Sequence, residues 1–111
     1  MSQTRYEVFK DAKGGFRFRL VAANNKIILA SESYTTRQGC NNGIASCQQN
    51  APNDGRYKRL EAKNGKPYFN LTAANNQIIG TSEMYETVAG REAGIAAVKK
   101  DGPTQRIDDQ C

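Results

Sequence analysis

Ala22-Ala23-Asn24-Asn25-Lys26-Ile27-Ile28 returns fifty-one residues later as Ala73-Ala74-Asn75-Asn76-Gln77-Ile78-Ile79, and Ser31-Glu32-Ser33-Tyr34 returns as Ser82-Glu83-Met84-Tyr85. Working outward at the same offset, Tyr6 meets Tyr57, Gly14 meets Gly65, Phe18 and Leu20 meet Phe69 and Leu71, and Gly43-Ile44-Ala45 meets Gly94-Ile95-Ala96. Residues 6–52 and 57–103 align without a gap, with nineteen identities in forty-seven positions. One unit is therefore present twice, and the fold must be assembled from two equivalent halves. The link between them, Asn53-Asp54-Gly55-Arg56, is short and turn-like.

Each copy reads as three strands followed by a helix. Tyr6 to Lys10 is a first strand, and Asp11 to Gly15 is a polar turn. Phe16-Arg17-Phe18-Arg19-Leu20 alternates apolar and charged residues, the pattern of a half-buried strand, and Pro67 to Leu71 keeps it. The paired asparagines tolerate positive φ and predict two-residue hairpin turns, followed by third strands over Ile27–Ser31 and Ile78–Ser82. Thr35 with Gln38 offers a capping box. Cys40, Ile44 and Cys47, and in the second copy Val88, Ile95 and Val98, then mark helical stripes ending near Gln49 and Lys100. Gly43 and Gly94 lie inside these helices at a cost of about 1 kcal/mol each relative to alanine, which predicts a close helix–sheet approach. Thr104 to Asp109 reads as a final strand. Two such units fused by a short link predict one α+β domain over residues 1–111, with one sheet, both helices on one face, and the other face open.

The chain has 111 residues, ordinary apolar and charged fractions and a net charge of +5. It is long enough for a modest core. No apolar run approaches the roughly 20 residues of a membrane span, and the start of the sequence lacks a secretory h-region. A cytoplasmic protein with free thiols is expected, and the Asn70-Leu71-Thr72 sequon then has no use. Cys40, Cys47 and Cys111 match no zinc spacing, and there is no histidine. Cys40 and Cys47, two helical turns apart, stand about 10 Å from each other, beyond disulfide reach. No metal and no cofactor is implied.

Alternation is expected to turn Phe9, Phe16, Phe18, Leu20, Leu60, Phe69 and Leu71 toward the helices. Tyr6, Val8, Lys10, Arg17 and Arg19, with Tyr57, Arg59, Glu61, Tyr68 and Asn70, then face outward. The candidate interaction surface is Tyr6, Arg17, Arg19, Tyr57, Arg59 and Tyr68. Tyrosines among arginines suit single-stranded nucleic acid, whose bases stack on rings and whose phosphates pair with guanidinium groups. The same face also suits a protein partner or a plain solvated sheet. The leading expectation is a non-enzymatic binding or structural module, a monomer with internal pseudo-twofold symmetry. A catalytic reading would pair Glu32 and Glu83 across the pseudo-twofold axis for acid–base work. The structural reading of Ser-Glu-x-Tyr is preferred, with serine and glutamate serving the helix start and tyrosine packing through a bonded hydroxyl. Cys47 aligns with Val98 and reads as core, while Cys40 aligns with Arg91 and reads as lying near the helix boundary.

In combination, Phe-Arg-Phe-Arg-Leu, Ala-Asn-Asn-x-Ile-Ile-x-x-Ser-Glu-x-Tyr and Gly-Ile-Ala resemble the YegP-like family of small bacterial proteins over essentially the whole chain. The resemblance implies two β3-α-β units on one antiparallel-rich sheet, with C-terminal strands exchanged between units over Arg56 to Glu61 and Thr104 to Asp109. It brings no catalytic residue, cofactor or substrate.

Overall fold

Turn chemistry lays down the first elements. In the computed structural model, which describes residues 3–110, strand β1 (Arg5–Lys10) turns into β2 (Phe16–Val21), and β2 into β3 (Ile27–Ser31). Both turns are three-residue loops closed by a residue in the left-handed region, Gly14 at φ +83° and Asn25 at φ +68°. Asn25 N–H bonds the Ala22 carbonyl, and the Ala22 and Lys26 backbones close the hairpin. The expected two-residue asparagine turns are thus one residue longer, because only the second asparagine adopts positive φ. Gly65 and Asn76 repeat this geometry between β4 (Tyr57–Glu61), β5 (Pro67–Thr72) and β6 (Ile78–Thr81).

Helices α1 (Arg37–Asn50) and α2 (Val88–Asp101) start one residue later than the capping box predicts. Thr36 Oγ1 accepts from Gly39 N–H at 3.0 Å and Thr87 Oγ1 from Gly90 N–H at 3.0 Å, while Gln38 bonds Asn42 instead of the cap. A second-position hydroxyl reaches the third amide, which leaves Thr35 outside the helix. The last strand, β7 (Ile107–Asp109), is shorter than expected.

The seven strands form one sheet in the order β4-β5-β6-β3-β2-β1-β7, antiparallel except where β7 lies parallel to β1. The two repeats meet at β3 and β6 through Ala30–Thr81 and Ser31–Gly80. The strand after α1 enters the second repeat as β4, and the strand after α2 returns to the first as β7. Both helices cover one face, over a single core that contains Phe18, Leu20, Leu29, Ile44, Phe69, Leu71, Ile95 and Val98. A bulge in each third strand serves that core. Leu20 pairs with Leu29 and Val21 with Ile27, so Ile28 is the extra residue and is buried beside Leu29. Ile79 does the same in β6.

Register decides which strand faces are buried, and it corrects the sequence reading of β1 and β4. Tyr6 pairs with Leu20 and Val8 with Phe18, so Tyr6 and Val8 point into the core at 0% exposure and Phe9 turns to the open face. Likewise Tyr57 pairs with Leu71 and Arg59 with Phe69, which places Tyr57 in the core, Arg59 on the helix side and Leu60 on the open face. The Tyr6 hydroxyl donates to the Gly102 carbonyl and the Tyr57 hydroxyl to the Ala51 carbonyl, both at 2.6 Å. Those carbonyls are the caps of α2 and α1, groups that no intrahelical bond satisfies.

The helical glycines are seats for rings. A Cβ at Gly43 would meet Tyr34 Cζ at 2.7 Å and Phe18 at 3.0 Å, and a Cβ at Gly94 would meet Tyr85 Cζ at 2.6 Å. Each tyrosine is stacked on its strand phenylalanine, Tyr34 on Phe18 and Tyr85 on Phe69. The helices therefore approach the sheet across one ring thickness.

Two measurements test this packing. Tyr6→Phe leaves a buried helix-cap carbonyl unpaired and should cost about 1–3 kcal/mol in urea unfolding, with Tyr57→Phe matching it. Gly43→Ala should destabilise by about 1–2 kcal/mol despite alanine's better helix propensity, since overpacking outweighs the gain.

Candidate functional site

The predicted tyrosine–arginine surface does not assemble. Tyr6 and Tyr57 are core residues whose hydroxyls find buried helix-end carbonyls at 2.6 Å, Gly102 for Tyr6 and Ala51 for Tyr57. Arg59 sits on the helix side, where it pairs with Asp54 and with Glu92 of α2 at 3.1 and 3.0 Å. Arg17, Arg19 and Tyr68 remain on the open face, but β3 and β6 stand between them, roughly 14 Å from β2 to β5. Arg19 pairs with Glu7 at 2.7 Å and lies over the Phe9 ring, and Arg17 reaches Asp11 at 3.3 Å.

These ion pairs set the local titration. Burial opposes the Glu7 charge, but hydrogen bonds from Arg19 and Arg5 outweigh it and hold the carboxyl below its ordinary value. The Ser33 hydroxyl, then the Gly15 amide, hold Asp11 down to about 2. Asn70 occupies the position in β5 that Arg19 occupies in β2, and its Oδ1 is the one buried side-chain oxygen without a partner among the described residues.

Cysteine chemistry is closed off on the helix side. Cys40 and Cys47 form no disulfide among the described residues and are fully buried; Cys40 lies in the first turn of α1, near the helix boundary as expected, and is a core residue as well. Burial pushes the Cys47 thiol up to about 11, with the Tyr6 hydroxyl pulling weakly the other way. Cys111 lies outside the described residues. No cluster of histidine, cysteine and carboxylate groups fit for a metal occurs among the described residues.

What the fold does bring together is a pair of clefts. The first, about 390 Å³, is lined by Ala22, Lys26 and Ile28 of one repeat and by Glu83, Tyr85, Gly90 and the α2 residues Ala93, Gly94 and Ala97 of the other. The second, about 210 Å³, is lined by Ala73, Gln77 and Ile79 with Tyr34, Gly39, Asn42, Gly43 and Ser46 of α1. A shift of fifty-one pairs eight lining positions of one cleft with eight of the other; Asn24 and Glu83 line only the first and Ile78 only the second. A hollow sharing Tyr34, Gln77 and Ile78 with the second cleft adds Glu32 to its mouth. Each cleft exists because a helix leans over the third strand of the other repeat, and because its glycines leave room above the tyrosine ring.

The Ser-Glu-x-Tyr corner divides its duties differently from expectation. Ser31 and Ser82 accept from the amides of Phe18 and Phe69 and donate to the next carbonyl, which fixes the corner. The carboxylates of Glu32 and Glu83 are exposed and serve no helix amide; threonine does that. The Tyr34 and Tyr85 hydroxyls have no hydrogen-bond partner among the described residues. Burial, followed for Tyr85 by the neighbouring Glu83 charge, raises both phenols, so both remain protonated donors at neutral pH. Glu32 and Glu83 belong to different clefts and do not form a carboxylate pair.

Comparison with known proteins agrees with this architecture. Residues 11–57 and 62–109 each match the family described as Domain of unknown function (DUF1508). The chain belongs to that family. The UPF0339 protein YegP of Escherichia coli K12 is 49% identical over 104 residues, 94% of either chain. A UPF0339 protein of Bordetella pertussis is 51% identical over 105 residues, 95% of either chain. The solution NMR structure of the Shewanella oneidensis UPF0339 protein superposes with a TM-score of 0.91 at 50% identity, covering 98% of this chain and 92% of that one. That of Escherichia coli yegP, a protein of unknown function, gives 0.93 at 46%, covering 99% and 95%. The tandem DUF1508 repeat and the α+β fold with a seven-stranded sheet are thus shared with these relatives. The names carry no activity, so function has to be read from the sites. No helix among the described residues is long and apolar enough to cross a membrane.

Sequence reasoning missed Lys26, Ala93 and the cleft role of Glu83. Lys26 and Ala93 differ from their counterparts Gln77 and Asn42 and carried no signal of this kind; for Glu83 the available signal was identity with Glu32 without a turn, cap or core duty. Isolating it requires knowing which positions are exposed.

Two outcomes follow. Cys40 and Cys47 should resist iodoacetamide in the native protein and react only at the rate of unfolding. The stability supplied by Glu7 is complete above the unfolded carboxyl value of about 4.3 and is lost as pH falls through the lower folded value. Glu7→Gln should therefore lower stability at neutral pH and flatten its decline between about pH 5 and about pH 3 in urea titrations.

Proposed function

We propose that the protein is a non-catalytic binding module that holds small apolar ammonium ligands in its two equivalent clefts. The observation that carries this reading is a short list of retained surface residues. Among exposed positions identical in both repeats, Gly14, Asn24, Asn25 and Thr36 and their counterparts make turns or caps, and Pro52 and Pro103 follow the helix ends. Ala23 and Ala74 lie in the turns; Ala45 and Ala96 on the helices, Ile27 and Ile78, about 42% and 41% exposed, and Glu32 and Glu83 have no such duty, and of these only the isoleucines and glutamates offer a ligand more than a methyl group. Ile78 lies with Glu32 and Tyr34 in the hollow beside the second cleft, while Glu83 and Tyr85 line the first. Apolar walls, a phenol oxygen and a carboxylate are what a small alkylammonium ion requires: burial for its chain and acceptors for the hydrogen bonds its head donates. A catalytic role lacks support for a physical reason. The thiols are buried elsewhere, the sequence has no histidine, and no second carboxylate lines the first cleft beside Glu83 to share a proton.

The test is a proton–nitrogen NMR titration with isobutylammonium. Binding with Kd of about 1–10 mM, roughly −3 to −4 kcal/mol, should shift the amides of Gly39, Gly43, Gly90 and Gly94. Ala93→Leu, at an exposed helical position, should abolish the shifts in the first cleft and spare the second. Shifts confined to Arg17, Arg19 and Tyr68 would favour the sheet face and single-stranded nucleic acid or a protein partner instead. No shift at all would also defeat the proposal.

A further inference from the structure

The two clefts are equivalent in position but not in charge. Lys26 stands in the first where Gln77 stands in the second, and Ala93 and Ala97 stand where the second has Asn42 and Ser46. The first cleft, about 390 Å³, has a cation as well as a carboxylate in its lining, whereas the second, about 210 Å³, and the adjoining hollow that holds Glu32, about 420 Å³, have no cation. Lys26 comes from the hairpin of one repeat and Glu83 from the corner of the other. They share the cleft without pairing with each other, and neither side chain enters an ion pair or hydrogen bond with another described residue.

Building on the binding reading above, we infer that the first cleft is a site for a free α-amino acid with an aliphatic side chain. The ligand's ammonium faces Glu83 and its carboxylate faces Lys26, so each charged end meets its opposite. Its side chain lies on Ala22, Ile28, Ala93 and Ala97, over the groove left by Gly90 and Gly94. The Tyr85 hydroxyl, protonated and without a protein partner, donates to the carboxylate. The cleft volume falls within the range of small-ligand sites, about 300–1,000 Å³. The second cleft, with Gln77 for Lys26 and a more polar helix wall, holds the ammonium and discriminates against the zwitterion. The molecule thereby contains its own control.

The experiment titrates the full chain with L-leucine and, separately, with isobutylammonium, reading amide shifts in both clefts. Leucine should bind the first cleft more tightly than isobutylammonium and perturb Lys26, Gly90 and Gly94 while leaving Gly39, Gly43 and Gln77 at rest. Lys26→Gln, which copies the residue of the second cleft at an exposed turn, should weaken leucine about fivefold, the effect of one solvent-exposed ion pair, and should not weaken isobutylammonium, from which it removes a like charge. Glu83→Gln should weaken both. The triple change Gln77→Lys, Asn42→Ala, Ser46→Ala should confer leucine binding on the second cleft. Leucine that binds no better than isobutylammonium, or that ignores Lys26→Gln, overturns this inference while the binding reading stands. Silence from both probes overturns the two together.

Discussion

Two hydroxyls hold the repeats together. Tyr6, in the first strand of repeat one, donates to the carbonyl that caps the helix of repeat two, and Tyr57 returns the same bond to the cap of the first helix. Each bond is buried, and each satisfies a carbonyl that the helix itself cannot. The helix ends meet where these tyrosines converge: a Cβ at Gly102 would stand 2.7 Å from the Val98 carbonyl oxygen and against the Ala51 methyl. The caps thus approach as closely as backbone permits. Neither half can supply both partners of its own bond, so the repeats are parts of one core and not two beads on a link. The rings also tie the sheet to this junction, Tyr6 edge-on to Phe18 and Tyr57 tilted on Phe69.

From that junction the helices diverge across the sheet, and their divergence makes the clefts. Near the junction each helix is held down on its own second strand. Further along it passes over the third strand of the other repeat, where the bulge delivers Ile28 or Ile79 beneath it. The tyrosine–glycine seat then sets the height: one ring fits between helix and sheet, and the small residues around the glycine leave space above it. A larger residue at Gly43 or Gly94 would displace the ring, and a deeper seat would close the groove. The same contact that fixes helix height therefore fixes the shape of a ligand space, which is why these residues recur in both copies.

Much of this was legible in the sequence and some could not be. The repeat, the strand and helix order, the helical glycines as close contacts, and Cys47 as core follow from local pattern and from comparing the copies. The faces of β1 and β4 do not. Tyr-Glu-Val-Phe-Lys has apolar residues at adjacent positions, so alternation permits either parity, and the choice rests on pairing Tyr6 with Leu20. A tyrosine also reads as a surface residue until its hydroxyl has a partner, and the partner of Tyr6 is ninety-six residues away. The capping threonine was missed by one position because Thr35 and Thr36 are chemically alike, and only Gly39 N–H distinguishes them. Glu32 and Glu83 were legible as retained, but not as cleft residues, because the opposite wall of each cleft comes from the other repeat.

Covalent duplication also breaks the symmetry that it creates. A perfect twofold assembly would carry equal outer edges. Here the chain after α2 is free to lie parallel to β1 as β7, whereas the corresponding chain after α1 must continue into β4. One edge is therefore covered and the other is bare among the described residues. The sequence at the bare edge has adjusted: Val8, buried in β1, becomes Arg59 in β4, held by Asp54 and Glu92, and Glu7 becomes Lys58. Charged residues on an edge strand resist pairing with a further strand. With the edge guarded this way and the open face reduced to separated arginine and tyrosine side chains, the first cleft is where a cation and a carboxylate from different repeats share apolar walls. Divergence there, Lys26 against Gln77 and Ala93 against Asn42, follows the same logic as at the edge: once one chain holds both halves, a residue in one copy no longer has to serve in the other.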